Sequence, residues 1–146
     1  PYMSEPMDAE AELAESAWPA DTSVWTGEYF NNMKLEGEPV LVREDPEIDF
    51  DWGMGSPAPE IDDDGFSVRW TRTADLPPGL YRFTVTSDDG ARLWVNDRLV
   101  ISAWYDHTEM TFRREMELAG GPVDLRLEYY ENAMEALVRV SWERIG

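Results

Sequence analysis

From Val24 onward, apolar residues recur at every second position, and this period of two limits the chain more than any other feature. Tyr81, Phe83 and Val85 alternate with Arg82, Thr84 and Thr86, while Leu93 and Val95 alternate with Arg92 and Trp94. Successive side chains of an extended backbone point to opposite faces, so each run reads as a strand with one buried face. The same alternation recurs at Phe66/Val68/Trp70, Met110/Phe112, Val123/Leu125/Leu127/Tyr129 and Val138/Val140/Trp142. Turn-forming residues separate the runs: Pro77-Pro78-Gly79, Asp89-Gly90, Asn96-Asp97 and Gly120-Gly121-Pro122. Short strands punctuated in this way predict an all-β chain, an antiparallel sandwich or barrel of about eight to ten strands. There is no βαβ rhythm, no glycine-rich phosphate loop and no internal repeat.

Two stretches depart from the pattern. Between Lys34 and Phe66 only Leu41-Val42-Arg43 reads as a strand, and Ile48 to Gly53 followed by Ser56-Pro57-Ala58-Pro59 reads as a long, proline-rich loop, a common place for recognition on a β scaffold. Residues 1–23 hold Glu5, Asp8, Glu10, Glu12, Glu15 and Asp21 and no Lys or Arg, the composition of an acidic linker. Met7, Ala11, Ala14 and Trp18 also fall on one helical stripe that Pro19 would end, so a short helix docked on a neighbour is the alternative. The sandwich domain is expected over residues 24–146. A start at Pro1 is compatible with a removed leader.

Charge and composition exclude several function classes. A net charge of -19 repels phosphate backbones and anionic headgroups, so neither nucleic acid nor a membrane surface is an expected partner. With no cysteine and His107 as the single histidine, thiolate chemistry and a multi-histidine zinc site are both out of reach. Acidic pairs suited to glycoside hydrolysis are so many that none stands out, and no Gly-x-Ser-x-Gly occurs, so no enzyme is expected.

Candidate sites centre on Ser87-Asp88-Asp89-Gly90. Two adjacent carboxylates before a glycine are either a tight turn, since Asp-Gly is a common hairpin dipeptide, or half of a metal site. Asp62-Asp63-Asp64-Gly65 reads as a solvated loop to which no further ligands can be assigned. Trp104, Tyr105 and His107 follow a strand and would give either core closure or an aromatic platform for a sugar ring. Of Tyr129 and Tyr130, neighbours in one strand, one should face inward and the other outward.

Six segments in order decide between these readings. Trp25-Thr26-Gly27-Glu28-Tyr29-Phe30, Ile48-Asp49-Phe50-Asp51-Trp52-Gly53, Phe66-Ser67-Val68-Arg69-Trp70, Ser87 to Val95, Trp104-Tyr105-Asp106-His107 and Leu127-Glu128-Tyr129-Tyr130-Glu131-Asn132 resemble the β-sandwich domains named after the N-terminal region of anthrax protective antigen. That family is found in flocculins, adhesins and bacterial glycosidases. The resemblance implies a calcium-dependent carbohydrate-binding or adhesion module of a secreted or cell-surface protein. Asp88 and Asp89 would be joined by a cis peptide and would ligate Ca2+, together with the Asn132 side chain and the carbonyls of Met134 and Ala136. Trp104, Tyr105, His107 and Glu135 would face the glycan. The family's tryptophan in the second loop is replaced here by Ala136, and Glu135 adds a charge at the opening. A structural or assembly module that docks a neighbouring subunit through residues 1–23 is the competing expectation.

Overall fold

A computed structural model describes residues 23–146, so the expectations for the acidic segment lie, but for Ser23, outside the described residues. Ten strands form: β1 (Trp25–Phe30), β2 (Leu41–Asp45), β3 (Asp49–Gly53), β4 (Phe66–Leu76), β5 (Gly79–Asp88), β6 (Ala91–Val95), β7 (Arg98–Ala103), β8 (Met110–Leu118), β9 (Gly121–Glu131) and β10 (Ala136–Arg144). They build a six-stranded sheet in the order β2-β1-β4-β9-β6-β7 and a four-stranded sheet in the order β3-β10-β5-β8. The pairings are antiparallel, and the two sheets pack face to face as a β-sandwich.

The alternation gives the core directly. Inward residues of β4 and β9, among them Phe66, Val68, Trp70, Leu125, Leu127 and Tyr129, meet Tyr81, Phe83, Val85 and Val138 from the other sheet. Aromatic rings dominate the contact: Trp52, Phe66, Trp70 and Tyr129 pack pairwise, and Trp142 stands edge-on to Trp25 with centroids 6.3 Å apart. Such pairs add about 0.5–1.5 kcal/mol each beyond their burial. One buried acid interrupts this core. Asp45 accepts hydrogen bonds from the Tyr29 hydroxyl, the Trp70 indole at 2.9 Å and Arg43 Nε at 2.8 Å. Gly27 is required beside it, because a Cβ there would stand 2.9 Å from both Asp45 Oδ2 and Trp70 Nε1.

Three local expectations are changed by the pairing. Ile48 to Gly53 does not open a loop: β3 pairs with β10 at the edge of the four-stranded sheet, burying Phe50 and Trp52 partly against the core. β8 is an outer strand on which Phe112 alone of the Met110/Phe112 pair packs against the core, while Met110 is exposed. Asp89-Gly90 is not a hairpin turn, because β5 belongs to the four-stranded sheet and β6 to the six-stranded one. That dipeptide carries the chain across the sandwich. The connections β3–β4, β5–β6, β7–β8 and β9–β10 all fall at the same end of the molecule, and there the candidate residues collect.

Candidate metal and ligand site

Asp88 ends β5 and Asp89 begins the crossing, with a cis peptide between them. Asp89 is buried, and three connections meet on it. Its Oδ1 accepts the backbone N–H of His107 at 3.2 Å, from the β7–β8 connection, and its Oδ2 accepts that of Asn132 at 2.9 Å, from the β9–β10 connection. The Tyr129 hydroxyl donates to the carbonyl of Asp88, and Ser87 Oγ donates to that of Asp89 at 2.8 Å. Both aspartates are therefore held by hydrogen bonds that leave lone pairs free on their carboxylates.

The Asn132 loop packs against the aspartate pair. Asn132 Nδ2 donates to Asp106 Oδ2 at 2.8 Å, so the amide oxygen is the end left to meet a cation. Asp106 also accepts the Tyr130 hydroxyl at 2.6 Å, and these two bonds lower its pKa. Burial and the Asp106 bond raise that of Tyr130. Met134 has a left-handed backbone with φ 78°, and Ala136 is fully buried where β10 begins, beside a break in register against β3.

A third carboxylate, which sequence reasoning missed, completes the cluster. Oxygens of Asp88, Asp89 and Glu131 lie within 4.8 Å of one another. Two ligands at the usual calcium distance of about 2.4 Å from one ion are at most about 4.8 Å apart, so the three are compatible with one ion. Glu131 is fully buried, and no donor among the described residues reaches either of its carboxylate oxygens. Burial, followed by the neighbouring Asp89 and Asp64, pushes its carboxyl up to about 9. Asp88 is pushed up to about 6 by burial and then by the charge of Asp89. Ion pairs of the described residues lie elsewhere, on Glu28, Asp45, Asp49, Glu115, Glu128 and Glu143. An oxygen-only, strongly acidic donor set with no ammonium or guanidinium ion-paired to it among the described residues fits a hard cation. The signal was present in the sequence: Glu131 continues the inward series Val123, Leu125, Leu127, Tyr129, where a charge is out of place.

Asp64 is also more than a solvated loop residue. Its Oδ1 accepts the Met134 N–H at 3.2 Å, and Gly65 N–H donates to the carbonyls of Glu131 and Asn132 at 3.0 and 3.1 Å, tying the β3–β4 connection to the second loop.

A cavity of about 640 Å³ opens over the cluster, lined by Asp88, Asp89, Asp106, His107, Thr108, Glu109, Ala133, Met134 and Glu135. His107 and Glu135 thus stand at its wall. Tyr105 is 49% exposed and packs on the His107 ring with centroids 5.0 Å apart, at the edge of the same region. Trp104 is turned away: the Arg92 guanidinium covers it 3.8 Å from the centroid, and Tyr130 stands edge-on to it at 4.8 Å. The expected outward tyrosine is covered as well, since Trp104 and Asp106 leave Tyr130 only 7% exposed.

Comparison with known proteins agrees with the fold. The PA14 domain family matches residues 21–146. Over 118 residues the chain is 39% identical to the anti-sigma-I factor RsgI3 of Acetivibrio thermocellus, a match that covers 80% of this chain and 18% of that protein. A solved anti-sigma factor domain-containing protein superposes with a TM-score of 0.78 at 37% identity, covering 84% of this chain and 43% of its own. The chain therefore spans less than half the length of these relatives. A PA14 sugar-binding domain from an RTX adhesin shares the fold at 18% identity, with a TM-score of 0.65 over 84% of this chain and 90% of that one.

Proposed function

Because the chain belongs to the PA14 domain family, we propose that it is a calcium-dependent, non-catalytic carbohydrate-binding module of a secreted or cell-surface protein. The observation that carries this reading is the meeting of Asp88, Asp89 and the Asn132 loop under one open cavity. Asp88, Asp89, the Asn132 side chain and the carbonyls of Met134 and Ala136 would hold a calcium ion. Such an ion takes six to eight oxygens, so positions facing the cavity stay open to vicinal sugar hydroxyls. Glu135 on the cavity wall supplies an acceptor for further hydroxyls, and the His107 ring with Tyr105 an apolar edge.

Thermal melts with calcium and with chelator test the metal, since a ligand of the native state alone raises the midpoint. No shift at millimolar calcium removes the reading. Where a shift is seen, Asp89→Asn should abolish it, and a glycan array read with and without calcium then identifies the sugar.

The identity to an anti-sigma factor favours a second reading of the module's setting, though not of its site. In a longer chain of that kind, the module would be the piece whose ligand occupancy the remainder reports. An assembly role for residues 1–23 is tested separately, by removing them and measuring oligomeric mass; an unchanged mass counts against it.

A further inference from the structure

We propose that Glu131 is a direct ligand of the cation, a third carboxylate that meets the ion from the interior of the sandwich. The inference rests on the calcium reading above and adds a residue that the family resemblance does not supply.

Glu131 is the last inward residue of β9, after Leu127 and Tyr129, and is fully buried with both carboxylate oxygens unpartnered among the described residues. A buried carboxylate without a donor is costly, and an apolar residue would serve that position better if packing were its only role. Its charged neighbours do not compensate it, because those that act on it are the carboxylates of Asp89 and Asp64. Those neighbours are themselves tied down. Asp89 is buried and holds the His107 and Asn132 amides, so it cannot turn away to make room, and Asp64 accepts the Met134 amide. The backbone of Glu131 is fixed too, by Gly65 N–H on its carbonyl and by pairing with Phe66. The arrangement thus keeps an unsatisfied acceptor within 4.8 Å of the Asp88 and Asp89 oxygens. A cation is the partner that would satisfy all three carboxylates at once. A divalent ion with oxygen preference suits the set, and the third carboxylate would strengthen its binding, because affinity at such sites follows the count of charged ligands.

Titration of the whole 146-residue chain with calcium chloride alone, by calorimetry, tests this. Wild type, Glu131→Gln, Asp64→Asn and Asp89→Asn are compared, each first melted in chelator to establish that it folds. Glu131→Gln should lower calcium affinity about tenfold or more, while its melting temperature in chelator rises. Asp64→Asn, which keeps an oxygen acceptor for the Met134 amide, should lower affinity less than Glu131→Gln does. Terbium luminescence lifetimes in H2O and D2O give a readout that packing alone would not move: Glu131→Gln should gain about one inner-sphere water. Equal affinity and equal hydration of wild type and Glu131→Gln would overturn the inference and leave Glu131 as a protonated carboxyl bonded to Asp89. Absence of calcium binding by wild type would instead overturn the underlying calcium reading, and the two failures are distinct.

Discussion

Replacing Gly90 by alanine places a methyl group where the Tyr130 ring stands. A Cβ built on Gly90 would lie 2.1 Å from Tyr130 Cε2, 2.8 Å from Cδ2 and 2.9 Å from Cζ. Carbon atoms pack at about 3.5–4.0 Å, so the ring would have to move by roughly 1.5 Å. It has little freedom to do so: its hydroxyl is bonded to Asp106, Trp104 backs it at 4.8 Å, and its own N–H donates to the Gly90 carbonyl at 3.0 Å. Overpacking costs about 1–3 kcal/mol and loss of a hydrogen bond to a charged acceptor about 1.5–3 kcal/mol, so Gly90→Ala should destabilise the chain by roughly 2.5–6 kcal/mol. In a domain of this size that lowers the melting temperature by about 8 °C or more. The effect should depend on the ring. In a Tyr130→Ala background the same substitution should cost less than about 1 kcal/mol, a coupling that a double-mutant cycle reads directly from chemical denaturation in chelator. Equal costs in the two backgrounds would place the strain somewhere other than the Tyr130 ring. Because Asp106 also holds the Asn132 amide, Gly90→Ala should weaken calcium binding as well.

Two further outcomes follow from the electrostatics of the cluster. The folded-state pKa values of Glu131 and Asp88, about 9 and about 6, lie above their ordinary values of 4.5 and 3.8. A raised folded-state pKa contributes stability that is present below the ordinary value and lost as pH rises through the folded one. The melting temperature in chelator should therefore fall between about pH 4.5 and pH 9, and Glu131→Gln should flatten most of that decline; a wild-type midpoint that holds steady or climbs over this range contradicts the assignment. Saturating calcium should reduce the fall, because the carboxylates are then ionised in the bound state, and pH-resolved melts with and without calcium check it.

The fold was legible where a strand buries one long face. β4, β5, β9 and β10 each span nine residues or more with inward residues at every second position, and a period of two over that length has no helical reading. It was less legible where pairing partners are distant. Ile48 to Trp52 alternates just as well, but the run is short and leads into prolines, and only its pairing with β10, some ninety residues on, makes it a strand. Asp89-Gly90 has the composition of a hairpin, yet β5 pairs with β8 and β10 rather than with β6, so the dipeptide crosses between sheets. Local propensity is outvoted there by cross-strand burial. Asp88, Asp89 and Asn132 were reached through a family resemblance, and the fold brings them together. Asp64 gave no local signal, being seventy residues from the Met134 amide that it accepts.

Two buried acids in the same chain show what the fold does when a carboxylate is structural. Asp45 is 4% exposed and receives the Tyr29 hydroxyl, the Trp70 indole and Arg43, so its charge is matched by three donors from three parts of the sheet. Glu131 is 0% exposed and receives none among the described residues. Replacing each acid by its amide should therefore act in opposite directions. Asp45→Asn loses charge-assisted bonds and leaves Arg43 beside a neutral amide, a change expected to destabilise the chain by about 3–5 kcal/mol as for a buried pair with one partner removed. Glu131→Gln removes a group that, at pH 7, is held protonated well above its ordinary value. One pKa unit corresponds to about 1.4 kcal/mol, so in chelator the variant should gain as much as about 3 kcal/mol. Denaturant midpoints of the two variants in chelator decide the matter. If both substitutions destabilise to a similar degree, Glu131 is satisfied by the fold as Asp45 is, and the carboxylate is not waiting for a cation. If they diverge in sign, the end of the sandwich that gathers Asp88, Asp89 and Asn132 holds a carboxyl whose ionised form the protein alone does not stabilise.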